Sequence, residues 1–468
     1  MSADATPDRT PAVRLLTQGN LTRHIFALAL PATATMFLQI AFNIVDLFWI
    51  GRLGTDAVAA VSITAVLIWS VHALIHMVAV GVSALVAQQI GAGQPGVAAQ
   101  TARQGLWFGL LGSLAVTACI PASETLLAFM GIAPEVVGLG KEYLDLILLG
   151  ASTIFGFYIV TAAFQGRGDT LTPMKILGLA VGLNALLDPL LIFGWGPFPA
   201  WGLRGAALAT VVSRLLATVW GLWLLPRDYS LPAPGDRLAL DGRIIRAVLR
   251  IGFPISLANL LFCFVYVLMT RIVARFGTDS VAALGIGHKL ESLSYMTCVG
   301  FATAATALVG QNLGAGRTRR AFHAALRTVF LLTLAVAVYT GIYYRFGAEL
   351  VSLFIVDSPG VVTIGGWYMT IIAFSQIFMG FDLAFTAAFG GAGNTLPPMV
   401  IGVPATFARI PVAWYLAVTC GWGIVGVWWA ITLCTIVHGV LLTGWFFLRR
   451  WERPAGPAAD AERVAAPT

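Results

Sequence analysis

The chain has 468 residues, of which 58% are hydrophobic and only 10% charged, with a formal net charge of +7. A soluble globular protein carries roughly 25% charged residues. This chain cannot cover itself with a water-compatible surface, and its mean hydropathy of +0.86 points to lipid instead.

In chain order, apolar runs of about the 20 residues that a helix needs to cross a bilayer cover 25–50, 57–85, 103–122, 139–165, 173–195 and 205–225, then 250–274, 280–308, 324–346, 361–388, 397–418 and 424–448. They are too long for barrel strands and show no period-2 alternation, so helices are the spanning option. The expected fold is an all-α integral membrane protein of about twelve transmembrane helices. The first run has no clear small-residue cleavage site and reads as a retained span, not a removed signal. Cys119, Cys263, Cys298, Cys420 and Cys434 show neither metal spacing nor pairs and read as small apolar filler.

The basic residues follow the loops, so the net charge is not a nucleic-acid footprint. By the positive-inside rule, about 19 Lys/Arg lie in the tails and the loops after even-numbered spans, Arg227, Arg237, Arg243, Arg246, Arg317, Arg319 and Arg320 among them, against about five (Arg52, Lys141, Arg204, Arg275, Arg345) on the other side. Both termini are therefore expected in the cytoplasm, with the protein in the cytoplasmic (inner) membrane.

The chain also contains itself twice. GRLGTDAVAAVSI (Gly51–Ile63) returns as ARFGTDSVAALGI (Ala274–Ile286), and AQQIGAG (Ala87–Gly93) as GQNLGAG (Gly310–Gly316). GRGDTLTPM (Gly166–Met174) returns as GAGNTLPPM (Gly391–Met399), and WGLRGAA (Trp201–Ala207) as WGIVGVW (Trp422–Trp428). Two six-helix bundles follow, and because six is even they enter the membrane in the same orientation, as parallel repeats. The expected organisation is an N-tail (1–22), an N-terminal bundle (23–226), a Pro/Gly-rich cytoplasmic linker (227–247), a C-terminal bundle (248–450) and a C-tail (451–468). RIIRAVLR (Arg243–Arg250) reads as a short interfacial helix, and Pro31, Pro189 and Pro254 as sites of bending.

The repeat serves as an internal control, since residues needed for architecture recur in both halves. Asn43 and Asp46 of the first span have Tyr266 and Met269 as counterparts, Thr210 of the sixth has Ile431, and no carboxylate matches Asn184 and Asp188 of the fifth. Asn43 and Asp46 are three apart, and Asn184 and Asp188 four apart, so each pair shares a helix face. A carboxylate at the centre of a span costs at least about 2.5–3.5 kcal/mol on insertion scales. Two acids with amide and hydroxyl oxygens suit a small hard cation, Na⁺ or a shared proton. Arg214, one turn from Thr210, is the one basic side chain placed to pair with them.

At these residues the chain resembles the multidrug and toxic compound extrusion (MATE) transporters, over about residues 20–450. The resemblance rests on FNIVDLFWIGRLGTDAVAAVS, the QQIGAG and QNLGAG loops, QGRGDTLTPM and NALLDP. It implies exchange of Na⁺ or H⁺ for an organic, often cationic, compound by rocking-bundle alternating access. The DinF-type branch implies cation coupling at Asp46, Asn184, Asp188 and Thr210, with Na⁺ held by these four if Na⁺ is the ion. Members of the NorM type use a glutamate in the seventh span and an aspartate in the tenth. LANLLFCFVYVLMTRIVA has no such glutamate, and Asp382 lies near the tenth-span position.

A substrate cavity is expected to involve Met36, Gln39, Phe157, Tyr158, Glu291 and Asp382, whose aromatic and thioether groups adapt to flat organic cations. His72 and His76 have the i, i+4 spacing of a metal pair but no carboxylate beside them, and read as packing. No DDxxD, GxSxG or HExxH appears, so no enzyme is expected, and no cofactor beyond the coupling ion. The expected partners are small organic substrates and the bilayer, not nucleic acid, with the chain as a monomer. The alternative is a flippase for a lipid-linked precursor, which calls for a basic cavity.

Overall fold

The computed structural model describes residues 16–129, 134–196, 199–230, 240–355 and 358–448. Residues 1–15, 231–239 and 449–468, which hold most of both expected tails and the middle of the linker, lie outside them, as do Arg237 and Trp451. In chain order the helices are α1 (Leu21–Ile50), α2 (Thr55–Gly91), α3 (Pro95–Thr117), α4 (Ser123–Phe129), α5 (Pro134–Leu149), α6 (Ala151–Gly166), α7 (Leu171–Phe193) and α8 (Leu203–Leu224). The short α9 (Arg227–Ser230) precedes α10 (Gly242–Ala274), α11 (Thr278–Gly314), α12 (Thr318–Ser352), α13 (Pro359–Gly391), α14 (Leu396–Trp414) and α15 (Ile424–Phe447). No strand occurs among the described residues. Among the described residues eleven helices are long and apolar enough to cross a membrane, or twelve with α5 and α6, bent by 50°, counted as one span. The protein is an all-α, multi-pass membrane protein.

The repeat returns element by element. α2 and α11 have 37 residues each, and α13 has 33, matching the extent of α5 plus α6. Each half uses a glycine of its repeated GxG loop to let two helices touch. A Cβ on Gly166 would lie 2.6 Å from the Ser83 carbonyl, and one on Gly391 would lie 2.5 Å from the Thr306 carbonyl. The second glycines of these loops, Gly168 and Gly393, have φ of 81° and 77°, a conformation that side chains rarely adopt. Asp169 then caps α7 by accepting from the Leu171 and Thr172 nitrogens, both at 3.0 Å.

Breaks in the helices fall elsewhere than at Pro31, Pro189 and Pro254. α1, α7 and α10 run through Pro31, Pro189 and Pro254 without interruption. The fourth span breaks at Gly150 instead, where a Cβ would meet the Val211 side chain of α8. α12 has a non-helical residue, Phe346, and a π-helical turn at Tyr415–Thr419 extends α14. RIIRAVLR is not a separate helix. It forms the first turns of α10, because nothing between Arg243 and Gly252 interrupts helical hydrogen bonding and Val248 is packed against Gly81.

By internal contacts the described chain divides into two units, one within residues 37–249 and one of residues 17–36 with those from 250 to 448. α1 thus contributes its first half to the second unit and its second half to the first. In the first unit, Arg103 donates to the Asp228 carbonyl at 2.8 Å and the Asp241 nitrogen donates to Gln104 at 3.0 Å, holding both ends of the inter-bundle segment to α3. In the second, Thr395 donates to the Ile251 carbonyl at 2.8 Å.

Close packing of α7 on α8 depends on Gly205, where a Cβ would meet the Leu191 carbonyl and lie 2.8 Å from the Ile192 nitrogen. Gly205→Val is expected to destabilise the protein by about 1–3 kcal/mol, the usual cost of overpacking. Gly138→Ala, with nothing within 4 Å of the added carbon, is expected to leave thermal stability unchanged or slightly raised. Melting temperatures of the two purified variants check this.

Candidate functional site

Four of the five residues picked out for cation coupling are buried in the first unit. Asp46 of α1 is 9% exposed, Asn184 and Asp188 of α7 are fully buried, and Thr210 of α8 is 8% exposed. Asn184 donates from its amide nitrogen to Asp188 at 3.0 Å, as the i, i+4 spacing demands. Asp46 and Asp188 lie within electrostatic reach of each other, with Arg214 of α8 and Tyr143 of α5 in the same neighbourhood.

One oxygen on each of these four residues is buried and meets no hydrogen-bond partner among the described residues: Asp46 Oδ1, Asn184 Oδ1, Asp188 Oδ2 and Thr210 Oγ1. Each buried, unsatisfied polar atom costs about 1–3 kcal/mol. Carboxylate, amide and hydroxyl oxygens are the hard donors that take the place of water around a small cation. Pro189 has no N–H, so the Ala185 carbonyl one turn earlier loses its helical donor.

Asn43 is not part of the buried group. It is exposed and accepts a hydrogen bond from Gln39 at 3.3 Å. Sharing a helix face over three residues does not bring two side chains into one site when the buried stripe is narrow.

Arg214 does turn inward, but it forms no ion pair within 4 Å of either acid among the described residues. It donates to the Gln39 side-chain oxygen at 3.2 Å and lies over the Phe42 and Phe157 rings at 4.8 and 5.2 Å. Its Nη1 meets no partner. The guanidinium is held by aromatic faces and an amide, leaving Asp46 Oδ1 and Asp188 Oδ2 without a partner among the described residues.

The expected cavity residues fall in both units. In the first, Gln39 and Phe157 hold Arg214, and Tyr158 packs edge-on against His72 at 5.7 Å and tilted against His76 at 5.4 Å. The His72 Nδ1 is 3.0 Å from the Ile68 carbonyl, so this histidine pair packs and bonds within its own helix. Met36 is half-buried in the second unit. Glu291 accepts from the Tyr368 hydroxyl at 2.8 Å and from Gln376 at 3.2 Å. Asp382 lies 3.3 Å from His438 and accepts from Thr386 at 3.2 Å. Both second-unit acids therefore have side-chain partners. Arg271 and Lys289 are exposed.

The second unit shows what becomes of the same positions without acids. A cavity of about 20 Å³ is lined by Tyr266, Met269 and Ile431, the counterparts of Asn43, Asp46 and Thr210. Arg409 lines it too, and Arg409 matches Asn184 at the offset that relates Gly166 to Gly391. A fixed guanidinium, donating to Thr435 at 3.0 Å, stands in one half where the other half has free oxygens.

Sequence reasoning did not single out Tyr143. Its counterpart at the same offset is Tyr368, so it recurs in both halves and reads as scaffold.

The MatE family profile matches residues 31–190 and 254–415. The chain is 30% identical to "Probable multidrug resistance protein NorM" of Thermotoga maritima, over 92% of this chain and 94% of that one. It is 29% identical to an FAD transporter of Shewanella oneidensis, over 81% of this chain and 84% of that one. Its fold is similar to a solved outward-facing multidrug resistance MATE family transporter, with a TM-score of 0.86 at 24% identity over 94% of this chain and 98% of that one. It is also similar to a MOP superfamily transporter from Pyrococcus furiosus described as having a binding pocket of reverse polarity, with a TM-score of 0.85 at 25% identity over the same shares.

Asp188→Asn keeps the acceptor that Asn184 uses and removes the second, unpaired acid oxygen. It is expected to stabilise the protein in Na⁺-free buffer near neutral pH by about 0.5–2 kcal/mol, as relief of a functional strain does. Asp188→Leu strands Asn184 and is expected to destabilise it by about 1–3 kcal/mol. Thermal melts of both variants decide. A lower melting point for Asp188→Asn would make the carboxyl a structural partner.

Proposed function

The chain belongs to the MatE family, and on that premise we propose that it is a secondary antiporter, moving Na⁺ or H⁺ inward while an organic, often cationic, compound moves out. As a member it is a multidrug efflux transporter and not an enzyme. The observation that carries the antiport reading is the set of four buried, unpartnered oxygens on Asp46, Asn184, Asp188 and Thr210. A pair of acids without a bonded base is a site that loads and unloads a cation.

Coupling then runs through α1. Asp46 sits in the half of α1 that belongs to the first unit, while residues 17–36 of the same helix belong to the second. Loading a cation at Asp46 and Asp188 draws α1 toward α7 and changes the helix that both units share. Alternating access follows if this change favours substrate release outside. The working unit in this reading is one chain in the cytoplasmic membrane, with both termini inside. Na⁺, where it is the ion, is cargo held by the four oxygens. A proton would be shared by the two acids. In the first unit Gln39, Phe157 and Tyr158, and in the second Met36, Glu291 and Asp382, are the candidate contacts for the exported compound. The flippase reading is less well supported, because the unpaired groups of the first unit include two acids where a pyrophosphate calls for bases.

One inward charge falling through 100 mV supplies about 2.3 kcal/mol, enough for about 50-fold accumulation of an exported neutral compound. Proteoliposomes loaded with a fluorescent organic cation test the proposal, with Na⁺ and pH gradients imposed separately on wild type and Asp46→Asn. Efflux driven by one gradient and lost in the variant is expected, and it names the ion. Efflux unchanged in the variant would sink the site assignment.

A further inference from the structure

A second polar feature lies outside the cation site. The loop between α11 and α12 and the first turns of α12 form an open cavity of about 660 Å³, lined by Arg317, Arg319, Arg320, His323 and Arg327. Among the described residues no acidic side chain lines it. Arg317 and Arg320 donate to the carbonyls of Thr17 and Gly19 at 2.7 and 2.8 Å, which orders them without neutralising them. The Arg320 Nε is buried without a partner, and the charges of Arg317 and Arg327 both act on it.

The internal repeat shows that these charges are not needed to build the turn. At the offset that relates Gly93 to Gly316, the first half has Gln94, Gly96, Val97, Gln100 and Gln104 in place of Arg317, Arg319, Arg320, His323 and Arg327. α3 starts there as α12 does, at the same distance past the repeated GAG. Loop charge bias for topology accounts for arginines on this side. It does not account for five basic side chains gathered round one cavity in one half only.

The surface beyond the cavity names the ligand. Arg319, His323, Arg327, Phe330, Leu334, Val338, Ile342 and Arg345 follow each other at three- and four-residue steps along one exposed stripe of α12. Between Arg327 and Arg345 the stripe is apolar, and its length is about 27 Å at helical rise, close to the roughly 30 Å hydrocarbon core. The basic cavity therefore sits at the level of the lipid headgroups, with an apolar track leading from it. A free phosphate has no use for that track. A phospholipid does.

We propose that this cavity binds the phosphate headgroup of an anionic phospholipid, whose acyl chains lie along the exposed stripe of α12. Basic pockets on the cytoplasmic side of helix bundles suit such headgroups. Native mass spectrometry of the purified full chain, with phosphatidylglycerol, cardiolipin and phosphatidylcholine offered in turn, is the test. The wild type is expected to retain the two anionic lipids in preference to phosphatidylcholine. Arg319→Gln with Arg327→Gln is expected to weaken that retention about 30-fold, the loss of two surface charges. Both side chains are exposed and make no hydrogen bond to the described residues, so the fold is expected to survive, as its melting temperature checks. Equal retention by wild type and variant would overturn the proposal. Displacement of the lipid by millimolar inorganic phosphate alone would do so too, by assigning the cavity to soluble phosphates. Should the variant not fold, the wild type still decides: retention that does not fall as salt rises from about 0.1 M to about 1 M would refute a headgroup held by charge.

Discussion

A polar group inside a bilayer has no water to turn to, and the architecture is arranged round that constraint. It is why the described chain is helical, with backbone groups bonded within each span. It is also why hydroxyls in the spans bond back to their own helix, as Thr35 does to the Pro31 carbonyl at 2.8 Å and Thr328 to the Ala324 carbonyl at 2.8 Å. Most larger polar side chains obey the same rule across helices: Gln376 bonds to Glu291, Tyr343 to the Leu290 carbonyl at 2.7 Å, and Ser294 to Gln376 at 2.6 Å. Against that background, Asp46, Asn184, Asp188 and Thr210 on α1, α7 and α8 each keep a buried oxygen without a partner among the described residues.

The duplicated chain makes the contrast visible within one molecule. Helix lengths, the positive-φ loop glycines and the glycine contacts that join helices are common to both halves, because they answer to the backbone and to the thickness of the membrane. The interior chemistry is not common. Where the first half places Asn184 and Asp46, the second places Arg409 and Met269. Its acids sit elsewhere, each bonded to a neighbour, Glu291 to Tyr368 and Asp382 to Thr386. The same scaffold therefore holds acids with unpartnered oxygens in one half and acids bonded to neighbouring side chains in the other. The basic cavity on α12 follows the same logic in reverse, present in the second half and replaced by glutamines, glycine and valine in the first.

By its contacts α1 divides between the two units, residues 17–36 falling in one and residues from 37 on in the other. Arg214 belongs to this arrangement as well. It ties the α1 residue Gln39 to α8 while resting on Phe42 and Phe157, so a neutral amide and two rings, not the acids, take up its donors and its charge.

The sequence by itself determined the long apolar helices, because the length of an apolar run is fixed by the bilayer and needs no partner to be recognised. It determined the duplication, and it picked out Asp46, Asn184, Asp188 and Thr210, because a carboxylate or amide in oil is costly wherever the helix turns. Only the tertiary structure decided which of those side chains meet. Asn43 faces out although it lies three residues from Asp46, and Tyr143 faces the acids although nothing in its own stretch says so. The break at Gly150, the unbroken passage of α7 through Pro189, the fusion of residues 243–250 into α10 and the division of α1 were settled the same way. Each depends on which side chain occupies the space opposite, Val211 for Gly150 and Gly81 for Val248. That information is held by residues distant in sequence, which no local pattern contains.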